Sequence, residues 1–146
     1  MKEIDIAKKL LNDENLNLAI VKDSKIIFKS TDRGIKPLYT AINEIREKLS
    51  GCSIADRVTG KAAAMLCKHG DIKELHTKLI SENAINILKE TSIIFNYDEL
   101  TPFIKNRDKT GMCPIESLSI KANSIDELLA EISSFLENIG KMQNER

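Results

Sequence analysis

The stretch LAIVKDSKIIFKS, residues 18–30, constrains the fold more than any other part of this chain. Two short apolar runs, Leu18–Val21 and Lys25–Lys29, flank a polar turn at Asp23-Ser24 and predict the two strands of a β-hairpin. After it, helical and strand periods alternate. STDRGIKP reads as a loop in which Gly34 is free to take a positive φ and Pro37 opens a helix at its first turn. Leu38, Ala41, Ile42, Ile45 and Leu49 recur at helical spacing, and Gly51 ends that helix. CSIAD is a brief strand or an extended connection. Thr59-Gly60-Lys61 opens the helix AAAMLCKHG, whose alanines favour tight packing. IKELHTKLIS sets Leu75, Thr77 and Leu79 against Glu74, His76 and Lys78, the period of a strand. Ser81 stands at the N-cap position of ENAINILKET. SIIFNY is a further strand, and residues 98–114 read as irregular with one short strand near Phe103-Ile104.

Both ends of the chain read as helices. EIDIAKKLL, residues 3–11, is amphipathic and is broken by Asp13–Asn17, which makes 1–17 an N-terminal helical arm. Ser124 and Glu127 form a capping box ahead of a helix over 124–143. The apolar stripe of that helix is Ile125, Leu128, Leu129, Ile132 and Leu136, and it serves either to cover the core or to pair with a second chain. A hairpin followed by strand-helix-strand crossovers predicts an α/β fold, a mixed sheet with helices packed on its faces.

Composition narrows the function by exclusion. The 146 residues carry 22 Lys+Arg against 22 Asp+Glu, a formal net charge of zero, and 42% are hydrophobic, so one domain spanning 1–146 is expected. Balanced charge gives no electrostatic footprint for nucleic acid or for a polybasic membrane anchor. No apolar run approaches the roughly 18 residues of a membrane span. The charged start MKEIDIAKKL lacks the apolar core of a secretory signal, and a cytoplasmic location is the expectation. Cys52, Cys67 and Cys113 form no C-x-x-C, and their odd number fits reduced thiols. Cys67, inside AAAMLC, reads as a core thiol. His76 reads as a satisfied or solvent-facing strand residue. Neither a metal site nor a cofactor is expected.

Ligands of such sheets collect at the strand ends, where loops meet helix N-termini, and three loops there carry chemistry. In Asp32-Arg33-Gly34-Ile35-Lys36, backbone N–H groups and the Arg33 fork suit an anion; the same residues also suit a solvated turn. In Asp56-Arg57-Val58-Thr59-Gly60-Lys61, Lys61 falls in the first turn of the alanine helix, where the macrodipole disfavours a cation. It needs an acidic partner, for which Asp56 is at hand, or an anionic ligand, unless its head lies in water. In the third loop Arg107 precedes Cys113-Pro114-Ile115-Glu116, with Pro114 at N1, Cys113 at the N-cap and Glu116 at N3. A thiol so placed has its thiolate favoured by the helix dipole and by Arg107, or is an ordinary cap. No histidine is near in sequence to serve as its base.

The segments LAIVKDSKIIFKSTDRGIKPL, ADRVTGKAAAML, KLISENAINIL and NR…GMCPIESL, in this order over Leu18 to Leu118, resemble the domain-of-unknown-function 1893 family. The resemblance implies a cytidine-deaminase-like fold, with the helix at 38–49 as an addition. Zinc deaminases place H-x-E or C-x-E at one helix start and P-C-x-x-C at the next. Here Gly60-Lys61-Ala62 and Ser81-Glu82-Asn83-Ala84 stand in those places, without three ligands for catalytic zinc. Hydrolytic deamination by that mechanism is not expected. The resemblance instead implies a pocket between the two helix starts, with Lys61 and Glu82 as an ion pair or bracketing a polar ligand, and Cys113 and Glu116 closing over it.

Three functions fit these residues. A binding module would hold a small polar or nucleotide-like ligand through Arg33, Asp56, Glu82, Arg107 and Glu116, with Lys61 and the helix N-termini as anion donors. A metal-independent enzyme would use Cys113 or Lys61 as nucleophile. A structural or homo-oligomeric scaffold would keep the pocket as a vestige.

Overall fold

The computed structural model describes residues 1–144, with side chains to residue 141; residues 145 and 146, included in the expected single domain, lie outside the described residues. The elements run α1 (Glu3–Asp13), β1 (Leu18–Lys22), β2 (Lys25–Ser30), α2 (Lys36–Leu49), β3 (Ser53–Thr59), α3 (Lys61–His69), β4 (Glu74–Ser81), α4 (Glu82–Lys89), β5 (Ile94–Thr101), α5 (Pro114–Lys121) and α6 (Ile125–Asn144). The five strands form one mixed sheet in the order β2-β1-β3-β4-β5. β1 is antiparallel to both β2 and β3, whereas β3, β4 and β5 are parallel. No helix among the described residues is long and apolar enough to cross a membrane.

The hairpin turns at Asp23 and Ser24, both at positive φ (52° and 62°), which matches the right-handed twist of its strands. α2 starts two residues earlier than its apolar spacing predicts and ends before Gly51, which takes φ +78°. β3 corrects the reading of residues 52–56 as a brief strand or connection: it is seven residues long and the middle strand of the sheet. β5 runs on through Asp98–Thr101, where the polar sequence predicts irregular chain, and the short strand expected near Phe103-Ile104 is reduced to a bridge between Lys105 and Met112.

The two faces of the sheet are covered unequally. One carries the main core, in which Leu18, Ile20, Ile54 and Leu75 meet α2, α3, α4 and α6. The other carries a smaller cluster, where Ala7 and Leu11 of α1 pack on Ala19, Val21 and Ala55. Leu128 and Ile132 are fully buried in the main core, and Ile125, Leu129 and Leu136 pack against it, so the α6 stripe covers this chain's own core. Half of the capping box forms: Ser124 Oγ accepts from Glu127 N–H (3.1 Å), whereas Glu127 Oε2 accepts from the N–H of Asn123 (3.3 Å), the residue before the cap, and not from that of Ser124. His76 is buried, not solvent-facing; its Nδ1 meets Asn96 Oδ1 and its Nε2 lies 3.7 Å from Asp98 of the edge strand.

Candidate functional site

Because β3, β4 and β5 are parallel, their carboxyl ends lie on one edge of the sheet, and α3 and α4 start there side by side. Thr59 pairs with Ile80, which sets Gly60, the N-cap of α3, next to Ser81, the N-cap of α4. Ser81 Oγ accepts from Ala84 N–H (3.2 Å), as its position in the sequence predicts. Into the space between the two helix starts comes a carboxylate from another part of the chain. Glu116 of α5 is 2% exposed. Its Oε1 accepts from Lys61 N–H (2.9 Å) and from the Ser81 hydroxyl (3.1 Å), and its Oε2 accepts from Ile104 N–H. A negative charge on the first N–H groups of α3 suits the helix dipole. Gly60 matters there for space and not for its dihedral: a Cβ would be crowded, 3.0 Å from Ile104 Cγ1 and 3.1 Å from Glu116 Oε1.

Beside this plug lies a cleft of about 720 Å³. It exists because β3 outruns its neighbour: Leu18, the first residue of β1, already pairs with Asp56, leaving Arg57–Thr59 without a β1 partner. Asn15 and Asn17 of the α1–β1 turn, Thr31, Arg33, Gly34 and Ile35 of the β2–α2 loop, the start of α3, and Cys113, Ile115 and Glu116 wall the gap. Leu18, Leu38, Ala62 and Ala63 give it apolar walls.

Asp56 is set into this cleft, half-buried. Its Oδ1 accepts from Arg57 N–H (2.9 Å) and its Oδ2 from the Thr59 hydroxyl (3.0 Å). Burial pushes the carboxyl up to about 7, against the opposing pull of these hydrogen bonds and of the Val58 N–H. The adjacent guanidinium does not neutralise it. Arg57 turns to the α1 side of the sheet, where it donates to the carbonyls of Leu11 (3.4 Å) and Leu16 and to Asn15 Oδ1 (3.0 Å). Arg57 thereby supplies the cation that the last turn of α1 lacks.

The other candidates divide between the cleft and its surroundings. Arg33 lines the cleft from the exposed turn in which Gly34 takes φ +76°. Cys113 lines it half-buried, as the N-cap of α5, and makes no side-chain cap; its N–H donates to the Ile104 carbonyl (2.8 Å). Lys61 is the first residue of α3, but its side chain does not line the cleft and pairs with neither Asp56 nor Glu82. Glu82 is exposed at the start of α4, and Arg107 is exposed in the 105–112 turn, which Asn106 ties together through Thr110 N–H (3.0 Å) and the Gly111 carbonyl (2.9 Å). Among the described residues no three His, Cys, Asp or Glu side chains are grouped to hold a metal ion. Cys67 and Cys52 are buried and burial raises both thiols, Cys52 to about 12. Sequence reasoning missed Asn15, Asn17 and Thr31 in the cleft wall and Ser81 and Ile104 as partners of Glu116; of these, only Ser81 carries a local signal, its N-cap position.

No curated protein matches the sequence. The fold is similar to the crystal structure of a DUF1893 family protein from Thermotoga maritima, with a TM-score of 0.82 and 30% sequence identity over 90% of this chain and 88% of that one. Residues 6–136 match the family profile described as a domain of unknown function, and this protein, with its carboxylate-plugged helix starts and adjoining cleft, belongs to the DUF1893 family.

Proposed function

We propose that the chain is a binding module with a cytidine-deaminase-like fold that holds a small polar, nucleotide-like ligand in the cleft at the carboxyl end of β3, where that strand outruns β1. The observation that carries this reading is Asp56: a carboxyl set into a roomy, partly apolar cleft with no cation paired to it among the described residues. Such a group costs stability, and perturbed carboxyls in clefts are characteristic of functional sites. The volume of about 720 Å³ suits a nucleotide-sized molecule. The deaminase-like reading is supported by the hairpin leading into parallel strands and by the paired starts of α3 and α4. The plug alters the expected chemistry: Glu116 takes the Lys61 N–H and the Ser81 hydroxyl, and Arg57 is committed to the α1 side, so among the described residues Arg33 is the lining cation that remains for an anionic ligand group.

A thermal-shift screen with nucleobases, nucleosides, nucleotides and sugar phosphates tests the reading. A ligand at about 100 times its Kd stabilises the fold by roughly 2.7 kcal/mol, a rise of several degrees. The expected hit is lost or weakened in Asp56→Asn and Arg33→Ala. A hit indifferent to both substitutions, or a silent screen, overturns the cleft as the binding site.

One observation favours a second reading, a metal-independent enzyme: Cys113 is half-buried in the cleft wall, whereas Cys52 and Cys67 are buried thiols. Alkylation of Cys113 at neutral pH at the rate of a simple exposed thiol, or slower, would remove it as a nucleophile.

A further inference from the structure

We infer that β5 is the seam of a symmetric dimer: this edge of the sheet pairs antiparallel with β5 of a second copy of the chain, with Tyr97 on the two-fold axis. β5 is an edge strand, and its side chains from Asn96 to Leu100 are exposed. Its main chain is open as well. Ile94 N–H donates to the Lys73 carbonyl (3.0 Å), which turns residue 94 toward β4. Successive residues of a strand face in and out in turn, so Phe95, Tyr97 and Glu99 hold their N–H and C=O groups outward. Such a row templates another strand unless something blunts it. The opposite edge, β2, is blunted: it carries Lys25 and Lys29 and meets a register shift at Ile20 and Val21. β5 has eight residues, IFNYDELT, with no Lys, no Pro and an unbroken register on β4.

This edge is complementary to itself in one register. A two-fold axis perpendicular to the sheet keeps the α1 face of both copies on one side, so a residue opposes only residues that point to its own face. Centred on Tyr97, the pairing sets Ile94 against Leu100, Phe95 against Glu99, Asn96 against Asp98, and Tyr97 against its own copy. The first pair removes two exposed apolar side chains from water. The Asn96–Asp98 pair uses groups left over within one chain. Asn96 Oδ1 accepts from His76 Nδ1, so the amide N–H groups of Asn96 remain as donors. The Asp98 carboxylate has no hydrogen-bond donor among the described residues, its approach to His76 Nε2 being 3.7 Å. An amide donating to a carboxylate across the seam, twice by symmetry, is a charge-assisted bond. Glu99 lies diagonal to the Tyr97 hydroxyl of the second copy, within reach of long side chains. Neighbouring registers lose these matches: centring on Asp98 opposes that carboxylate to itself, and centring on Asn96 sets Ile94 against Asp98. In the Tyr97 register the outward groups of residues 95, 97 and 99 make about six inter-chain hydrogen bonds. The pairing uses up both β5 edges, so association closes at the dimer.

The test is sedimentation equilibrium of the full chain over a range of concentrations. The expected result is a monomer–dimer equilibrium with no larger species. Tyr97→Lys, which sets two ammonium groups against each other on the axis, should weaken it roughly tenfold or more, and Ile26→Lys on the exposed β2 edge should leave it unchanged. Melting curves verify that both variants are folded. Register is read separately by oxidising cysteine variants of β5 in a Cys113→Ser background. Residues opposed in a hydrogen-bonded antiparallel pair have Cα atoms about 5.5 Å apart, within disulfide reach. Tyr97→Cys is expected to give a covalent dimer, and Asp98→Cys, which does not face its own copy, is not. A dimer indifferent to Tyr97→Lys overturns the assignment to β5, and its loss in Ile26→Lys would move the seam to β2. A covalent dimer from Asp98→Cys without one from Tyr97→Cys overturns the register. A chain that stays monomeric at every concentration, or grows past the dimer, overturns the seam itself.

Discussion

Asp56 sets a pH dependence on stability whose sign is opposite to that of a salt-bridged carboxylate. In the unfolded chain its proton leaves near the ordinary value of 3.8; in the folded chain burial holds it to about 7. Between these values the folded state binds more protons than the unfolded state, so this group's contribution falls as pH rises through that window. The loss is on the order of a few kcal/mol, since each unit of displacement is worth roughly 1.4 kcal/mol. Asn at this position cannot ionise. Asp56→Asn is therefore expected to equal the wild type near pH 4 and to exceed it in stability at pH 8, as read by urea denaturation across that range. A difference that does not change with pH would mean that Asp56 ionises as an ordinary surface carboxyl. Retaining a residue that weakens the fold at neutral pH is intelligible where the same residue binds something, because function and stability compete at such positions.

At the scale of elements, Glu116 joins three pieces that no local interaction would bring together. It lies 55 residues from Lys61 and 35 from Ser81, yet its one carboxylate serves the starts of α3 and α4 and the strap that carries Ile104. Glu116→Ala leaves three donors unmet in a buried place and is expected to cost about 2–4 kcal/mol. Gly60→Ala drives a methyl against Ile104 and against Glu116 itself, at a cost of about 1–3 kcal/mol. The double variant removes one of the two groups the methyl strikes, so its cost should fall short of the sum, and a double-mutant cycle in urea measures the shortfall. Strict additivity would show that Gly60 and Glu116 do not share a contact.

These same elements show what the sequence could and could not reveal. The hairpin, the stop of α2 before Gly51 and the Ser124 cap of α6 are legible because each depends on residues a few positions apart. β3 was not, because its burial is achieved with small or unlike residues: Ala55 is fully buried under α1 while its neighbours Asp56 and Arg57 serve opposite faces. The second half of β5 reads as polar because it is an exposed edge. Arg33, Asp56, Cys113 and Glu116 were visible as candidates from their loops and caps. The partners of Glu116 were not, since chain closure over such distances leaves no mark in a local pattern. Lys61 was singled out for an adverse place on the helix dipole; the structure answers that place with its own carboxylate on the Lys61 N–H.

The whole molecule is fastened in two places, and they should fail differently. α6 is held by Leu128 and Ile132 in the main core, on the face that also carries α2, α3 and α4. α1 is held by a much smaller cluster and by Arg57, which reaches from the middle strand to the carbonyls at the end of α1 and to the turn that forms one cleft wall. Ile132→Ala is expected to cost about 2–5 kcal/mol by the cavity it leaves in the main core. Arg57→Ala forfeits charge-assisted hydrogen bonds at a half-buried place and should cost less, about 2 kcal/mol. Hydrogen exchange distinguishes them. Arg57→Ala should speed exchange at residues 14–19 while leaving α3 and α6 protected, whereas Ile132→Ala should loosen α6 and its contacts and spare the α1–β1 turn. Lysine at position 57 should not restore protection, because its single ammonium cannot reproduce the guanidinium fork. Uniform loosening by both variants would instead show that the sheet and its two faces open as one unit, so that the cleft wall has no fastening of its own. If the expected pattern holds, the cleft belongs to the less stable face, where a wall can yield to a ligand without disturbing the core that keeps the strand ends in place.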